Sequence, residues 1–411
     1  MFRIALLMLM VAIAIPGAPG WAAKPSAAPC QQPGVPMDNA EAWVKLSDAR
    51  LKAEDLKGAM CALKSALAQG KKDSDTYGIA LATYGMGDLL VQLGEADRAM
   101  ETYRNALSLF EALDNKPGVA NAANTLARLH AEKGEYDQAV TLYTKSLEIY
   151  RTLGHTGNQA VTLSNLAGIH LKAKRFAEAV ATLKEVVTIH TQSGNNVALA
   201  EAHLSLGEAL EGTGKLKPAE ASFNKALELF DGMNNVPGKT RVYASMAGAA
   251  AERGDLARAE ELYKKSVALD EALDRKPQLA ATYNDMGKMY RDRGNLARAV
   301  EWYRKALEVF ESIGRTDAVA VIATTLGNVH SKQGELSDAE AMYRKAMEIY
   351  KAKGDERRAA GLLHSLASVV ARMGNYASAR DLAREALALY QKSGDSQRAG
   401  QVQELLGKLG G

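Results

Sequence analysis

The sequence predicts an all-α chain built as a solenoid of antiparallel helix pairs and closed by a C-terminal capping helix. Glycine recurs at Gly94, Gly134, Gly214, Gly254, Gly294, Gly334 and Gly374 on a spacing of forty residues, with Lys174 in the one missing place and Glu54 in a divergent first copy. A second series, Asp114, Gly154, Gly194, Asn234, Asp274, Gly314, Gly354 and Gly394, has the same period and uses residue types that tolerate a left-handed backbone. Two turns per period imply two helices per period, each of four to five turns at about 3.6 residues per turn. Alanine is abundant, proline is sparse beyond residue 40, and no alternating Val/Ile/Thr run occurs, so strands have no signal.

The elements follow in chain order. Residues 1–22 read as an export signal: Arg3 is a positive start, Ile4 to Ile15 an apolar run, and Pro16-Gly17 a break before small residues. The run is shorter than the roughly 18 residues that span a bilayer, so cleavage is expected to leave no membrane span, and an uncleaved anchor is the alternative. The expected location is periplasmic or secreted. Residues 23–39 form a Pro-rich strap that holds Cys30; Ala27-Ala28-Pro29 before it departs from a lipidation motif. The other cysteine, Cys61, makes Cys30–Cys61 a candidate disulfide in an exported chain, with two unpaired thiols as the alternative. A divergent first repeat is expected over 40–79, eight repeats over 80–399, and a capping helix over 400–411, because a solenoid must cover the apolar face of its last repeat.

Columns forty residues apart show which faces pack. Alanine occupies Ala99, Ala139, Ala179, Ala219, Ala259, Ala299, Ala339 and Ala379, where helix backbones approach closely. Bulk recurs at Tyr103, Tyr143, Leu183, Phe223, Tyr263, Tyr303 and Tyr343, and again at Phe110, Tyr150, Phe230, Phe310, Tyr350 and Tyr390. One copy carries Tyr283, Met286-Gly287, Tyr290, Gly294, Ala299, Tyr303 and Ala306 in order, and Trp43 holds the first aromatic place of the first copy. This pattern resembles the tetratricopeptide repeat family over about residues 40 to 411. The period is longer than the family's roughly thirty-four residues and is similar to its extended scaffolds. The resemblance implies a right-handed superhelix whose first helices line a concave groove.

Composition excludes several functions. There are 51 Lys and Arg against 48 Asp and Glu, a formal charge of +3 with both signs interspersed, which supplies no nucleic-acid-binding stripe. His130, His170 and His330 share one core column with Leu90 and Tyr290, so they read as packing residues, and no His-Glu-x-x-His or Cys/His cluster points to a metal. Gly85-Met86-Gly87 lacks the third glycine of a dinucleotide loop, and no phosphate-binding loop or serine nucleophile elbow is present. Neither an enzyme nor a cofactor site is expected.

Function is therefore expected on the non-core positions of the first helices. By the family's register, these include Asn124, Arg128, Asn165, Asn284, Lys288, Asn328 and Lys332. Asparagine both donates and accepts, so a row of asparagines can hold a peptide backbone, and the cations can take carboxylates. The family's Lys/Asn carboxylate clamp is not reproduced. The sequence thus points to a monomeric scaffold or adaptor that binds a peptide or helix of a protein partner. The alternative is an accessory subunit presenting substrate to a separate enzyme of the cell envelope.

Overall fold

A computed structural model describes residues 39–410 as α-helices joined by turns of two or three residues, with no strand among them. The expected signal segment, Cys30 and all of the strap except Asn39 lie outside the described residues, so the Cys30–Cys61 pairing stands as a proposal. The helices are α1 Ala40–Lys52, α2 Leu56–Asp73, α3 Thr76–Gln92, α4 Ala96–Ala112, α5 Lys116–Glu132, α6 Tyr136–Thr152, α7 Thr156–Lys172, α8 Phe176–Ser193, α9 Asn196–Gly212 and α10 Leu216–Gly232. They continue as α11 Val236–Arg253, α12 Leu256–Ala272, α13 Lys276–Asp292, α14 Leu296–Ser312, α15 Thr316–Gln333, α16 Leu336–Ala352, α17 Glu356–Arg372, α18 Tyr376–Lys392 and α19 Ser396–Lys408. None of them is long and apolar enough to cross a membrane.

Beyond the first pair, which starts at Ala40, the pairs run four residues ahead of the boundaries expected from the glycine rulers: the first full pair starts at Thr76 and the terminal helix at Ser396. The caps explain this. Asp75 and Asp395 precede these helices and accept the backbone N–H groups of Gly78 and Arg398, satisfying one of the donors a helix start leaves over. Each preceding helix ends in a left-handed residue. At Gly254, φ is 89°, and the next N–H, that of Asp255, donates to the carbonyl of Ala250 at 3.0 Å. Lys174 adopts the same turn at φ 57°, a conformation that costs a residue with a Cβ about 1–2 kcal/mol and that glycine adopts freely.

The described residues divide into two compact units, with the boundary between Leu129 and His130. In the first, Trp43 on α1 is buried with Ala62, Ala66 and Ala82, and Leu63 with Leu89 forms a second small core. Tyr103 on α4 lies over Gly87 on α3, where a methyl group would come within 2.6 Å of its ring. In the second unit, successive helices pack on one another, and Phe223, Phe230, Met286, Tyr303 and Leu326 are among the fully buried side chains of its largest core.

The alanine column is fully buried in both units, which lets each second helix lie close against its first. Tyr303 and Tyr343 stack over Gly287 and Gly327 as Tyr103 does over Gly87. One copy departs from the aromatic column at residue 270. Asp270, 1% exposed, pairs with Arg275 at 3.1 Å, and Arg275 also donates to the Thr240 hydroxyl. Burial pushes the Asp270 carboxyl above its ordinary pKa, and the Arg275 charge opposes it. The last pair is covered by α19: Val402 is 0% exposed and packs with Leu363, Ala383 and Tyr390.

Candidate partner-binding surface

First helices bury two adjacent faces, one against their own second helix and one against neighbouring pairs. The remaining stripe carries the predicted residues, which fall among the second, fifth, sixth, ninth and thirteenth places of each first helix, counted so that the glycine between the two helices is fifteenth. The structure sets them in quite different surroundings.

In the first unit, Asn124 and Arg128 on α5 are half-buried, and both already interact with neighbouring groups. Arg128 lies in the field of Asp88 on α3. The Tyr103 hydroxyl donates to Asp88 Oδ1 at 2.5 Å, and Tyr84 and Thr125 share a hydroxyl–hydroxyl bond of 2.9 Å. Burial pushes the Asp88 carboxyl up to about 6, and nearby Asp48 adds to the rise, while the Tyr103 hydrogen bond and Arg128 oppose it. Arg128 is therefore part of a polar network and is not a cation waiting for a partner.

In the second unit, Asn165 and Asn284 are half-buried, while Lys288, Asn328 and Lys332 are exposed. Asn328 is partly committed, because its Oδ1 accepts the Tyr343 hydroxyl at 2.6 Å. No carboxylate lies within ion-pair distance of Lys288 or Lys332 among the described residues. Burial raises the carboxyl pKa of Asp285 beside Asn284, and Lys288 tempers that rise from a distance. Further along, the charges are already satisfied: Arg241 makes a two-pronged contact with Glu201 at 2.6 and 2.7 Å, and Arg253 holds Glu211 at 2.6 Å. The Ser245 hydroxyl donates to Glu208 Oε1 at 2.7 Å, and burial raises the Glu208 carboxyl.

Asp88 and Glu208 were missed by a reading that selected amides and cations. Both occupy the ninth place that Arg128, Lys288 and Asn328 occupy in other copies, so the register signal was present and the choice of residue type hid it. The histidine column is buried as a packing column should be: His130 is 8%, His170 7% and His330 2% exposed. The pattern did not disclose that His130 Nδ1 meets Glu135 at 2.5 Å and His330 Nδ1 meets Glu335 at the same distance. His170, with Arg175 in the corresponding place, has no Nδ1 partner among the described residues, and burial lowers its pKa. His190 and His203 replace aromatics at half-buried sites, where burial again favours the neutral ring.

Comparison with known proteins agrees with this geometry. A family model described as tetratricopeptide repeat matches residues 78–152, 158–231, 239–312 and 278–352, and a second of the same description matches 359–393. No curated protein sequence matches the chain. Among solved structures it is similar to the apo form of the quorum sensor NprR from B. thuringiensis, with TM-score 0.52 and 14% identity over 75% of this chain and 87% of that one. The apo form of RapI gives TM-score 0.51 and 16% identity over 67% of this chain and 99% of that one. A signal-transduction ATPase with a tetratricopeptide repeat sensor from Pyrococcus horikoshii gives 0.51 and 15%, over 90% of this chain and 55% of that one. At these identities the structural likeness shows a shared fold alone. With matches spread across both units and helix pairs in the family's register, the chain belongs to the tetratricopeptide repeat family.

Proposed function

We propose that the chain is a protein-interaction scaffold that takes an acidic extended or helical segment of a partner protein along the open stripe of its first helices. The observation that carries this reading is the contrast within the second unit. Arg241 and Arg253 are neutralised by glutamates, whereas Lys288 and Lys332 are exposed and lack an ion-pair partner, with Asn284 beside Lys288 and the Asn328 amide between the two lysines in sequence. A carboxylate brought to such a lysine makes a charge-assisted bond, and the amides can hold a backbone. Tandem helix pairs commonly offer such surfaces to peptides and helices. Turns of two or three residues leave no insertion among the described residues in which a catalytic domain could sit, so the reading assigns the chain no reaction of its own. Export to the envelope or medium, expected from residues 1–22, and a monomeric state are parts of the same proposal.

The test uses Asn284→Ala/Lys288→Glu/Lys332→Glu. Asn328 is left intact because its carbonyl supports Tyr343, and Arg128 because it belongs to the Asp88 network. Partners are captured from envelope and secreted fractions, and the affinity of each purified partner is then measured at two salt concentrations. We expect a partner that binds wild type at least tenfold more tightly, with the difference shrinking at high salt while helical content is unchanged. Equal affinity for both proteins would remove the stripe of the second unit from consideration.

A further inference from the structure

We propose that His330, Glu335 and Asp338, at the turn between α15 and α16, bind a divalent transition-metal ion of the zinc type. One donor atom from each of the three side chains lies within 4.8 Å of the others. The backbone brings them together. Gly334 takes φ 83°, and the Glu335 N–H folds back to the His330 carbonyl at 3.0 Å, which sets Glu335 beside the last turn of α15. Asp338 follows three residues later on the same face of α16.

The donor chemistry suits such an ion. One imidazole nitrogen and two carboxylate oxygens form a borderline set that zinc, cobalt or nickel takes more readily than magnesium or calcium, which favour oxygen alone. His330 is 2% exposed, so its ring is fixed by packing, while the two carboxylates are exposed and adjustable. Bonds of about 2.0–2.2 Å in a tetrahedral arrangement place donors roughly 3.3 Å apart. Glu335 Oε2, at 2.5 Å from His330 Nδ1, must swing outward to admit the ion, and its exposure permits that. Water completes the coordination.

Two further observations support the site. First, no Lys or Arg pairs with Glu335 or Asp338 among the described residues. The positive end of α16 offsets part of their charge and opposes a cation by less than one good ligand contributes. Second, Glu335, like Glu95 and Glu135 at the corresponding places, makes no side-chain cap for its helix, whereas Asp255 and Asn295 do, so the start of α16 does not engage its carboxylate. Among the copies with histidine in this column, only this one has the full set. His130 and Glu135 are followed by Gln138, and His170 is followed by Arg175 and Glu178. The spacing of the trio crosses a turn and does not follow one helix face, so no metal-binding motif of the sequence contains it.

The experiment titrates zinc chloride into the metal-stripped full chain against a chromophoric chelator and records the melting temperature in parallel. Asp338→Asn alters an exposed side chain, so its fold should survive, as circular dichroism will verify. We expect that variant to lose one zinc equivalent or to weaken it at least tenfold, and its zinc-induced rise in melting temperature to shrink accordingly. Gln138→Asp, which supplies the missing ligand beside His130 and Glu135, should gain one equivalent. Zinc binding unchanged in Asp338→Asn, or no gain in Gln138→Asp, overturns the proposal.

Discussion

Replacing Gly287 with alanine should destabilise the chain, although the same substitution at Gly407 should not. Both glycines hold the same place in a first helix, one in α13 and one in α19. A methyl group on Gly287 would lie 2.7 Å from Tyr303 Cδ1 and 2.8 Å from Cε1, inside ordinary contact distance, while nothing lies within 4 Å of the methyl position at Gly407. Tyr303 is 1% exposed and has no open side toward which to withdraw. Overpacking of this kind costs about 1–3 kcal/mol. Against it stands the intrinsic gain of alanine over glycine in a helix, about 1 kcal/mol. Gly287→Ala should therefore lose up to about 2 kcal/mol, whereas Gly407→Ala, with the gain alone, should change stability by between zero and about 1 kcal/mol in the favourable direction. Urea denaturation followed by circular dichroism measures the difference. Hydrogen exchange in α13 and α14 localises it, which matters because long arrays need not unfold in one step. If Gly287→Ala proves as stable as Gly407→Ala, the ring yields without cost, and the argument that glycine is required beneath these aromatics fails.

Two other outcomes follow from the structure. Asp88, half-buried, has a carboxyl pKa raised from 3.8 to about 6, so the folded state binds the proton more tightly, and stability should rise as pH falls through 6 toward 3.8. Asp88→Asn keeps an acceptor for the Tyr103 hydroxyl, and should stabilise the first unit by at most about 3 kcal/mol at pH 7.5 and by about half of that at pH 5. An effect that does not depend on pH would show that the carboxylate is not strained by burial. Val402→Ala empties a fully buried position of α19 and should cost about 2 kcal/mol, felt as faster hydrogen exchange in α17 to α19 with α13 and α14 unchanged. Uniform acceleration across the second unit would mean that the array unfolds as one body and that α19 is no local cap.

The sequence by itself determined the helix pairs and their packing columns. Left-handed residues every forty places fix where helices stop, and Ala99 to Ala379 together with Tyr103 to Tyr343 fix which faces meet, because both signals are local or strictly periodic. The helix starts were displaced by four residues because the capping residues Asp75 and Asp395, not the glycines, set them. The surroundings of the candidate surface were decided only in three dimensions. Asn124, Arg128, Asn284 and Lys288 are equivalent by register, yet the partners of Arg128 and the openness of Lys288 depend on side chains supplied by neighbouring helices. Asp270 is a gap in an aromatic column until Arg275 and Thr240 are seen around it. The approach of His330, Glu335 and Asp338 likewise depends on a backbone turn at Gly334. A repeat is read along one chain direction, whereas charge pairing and ligand sets are made across it, and pairing across helices depends on distances that a forty-residue spacing does not encode.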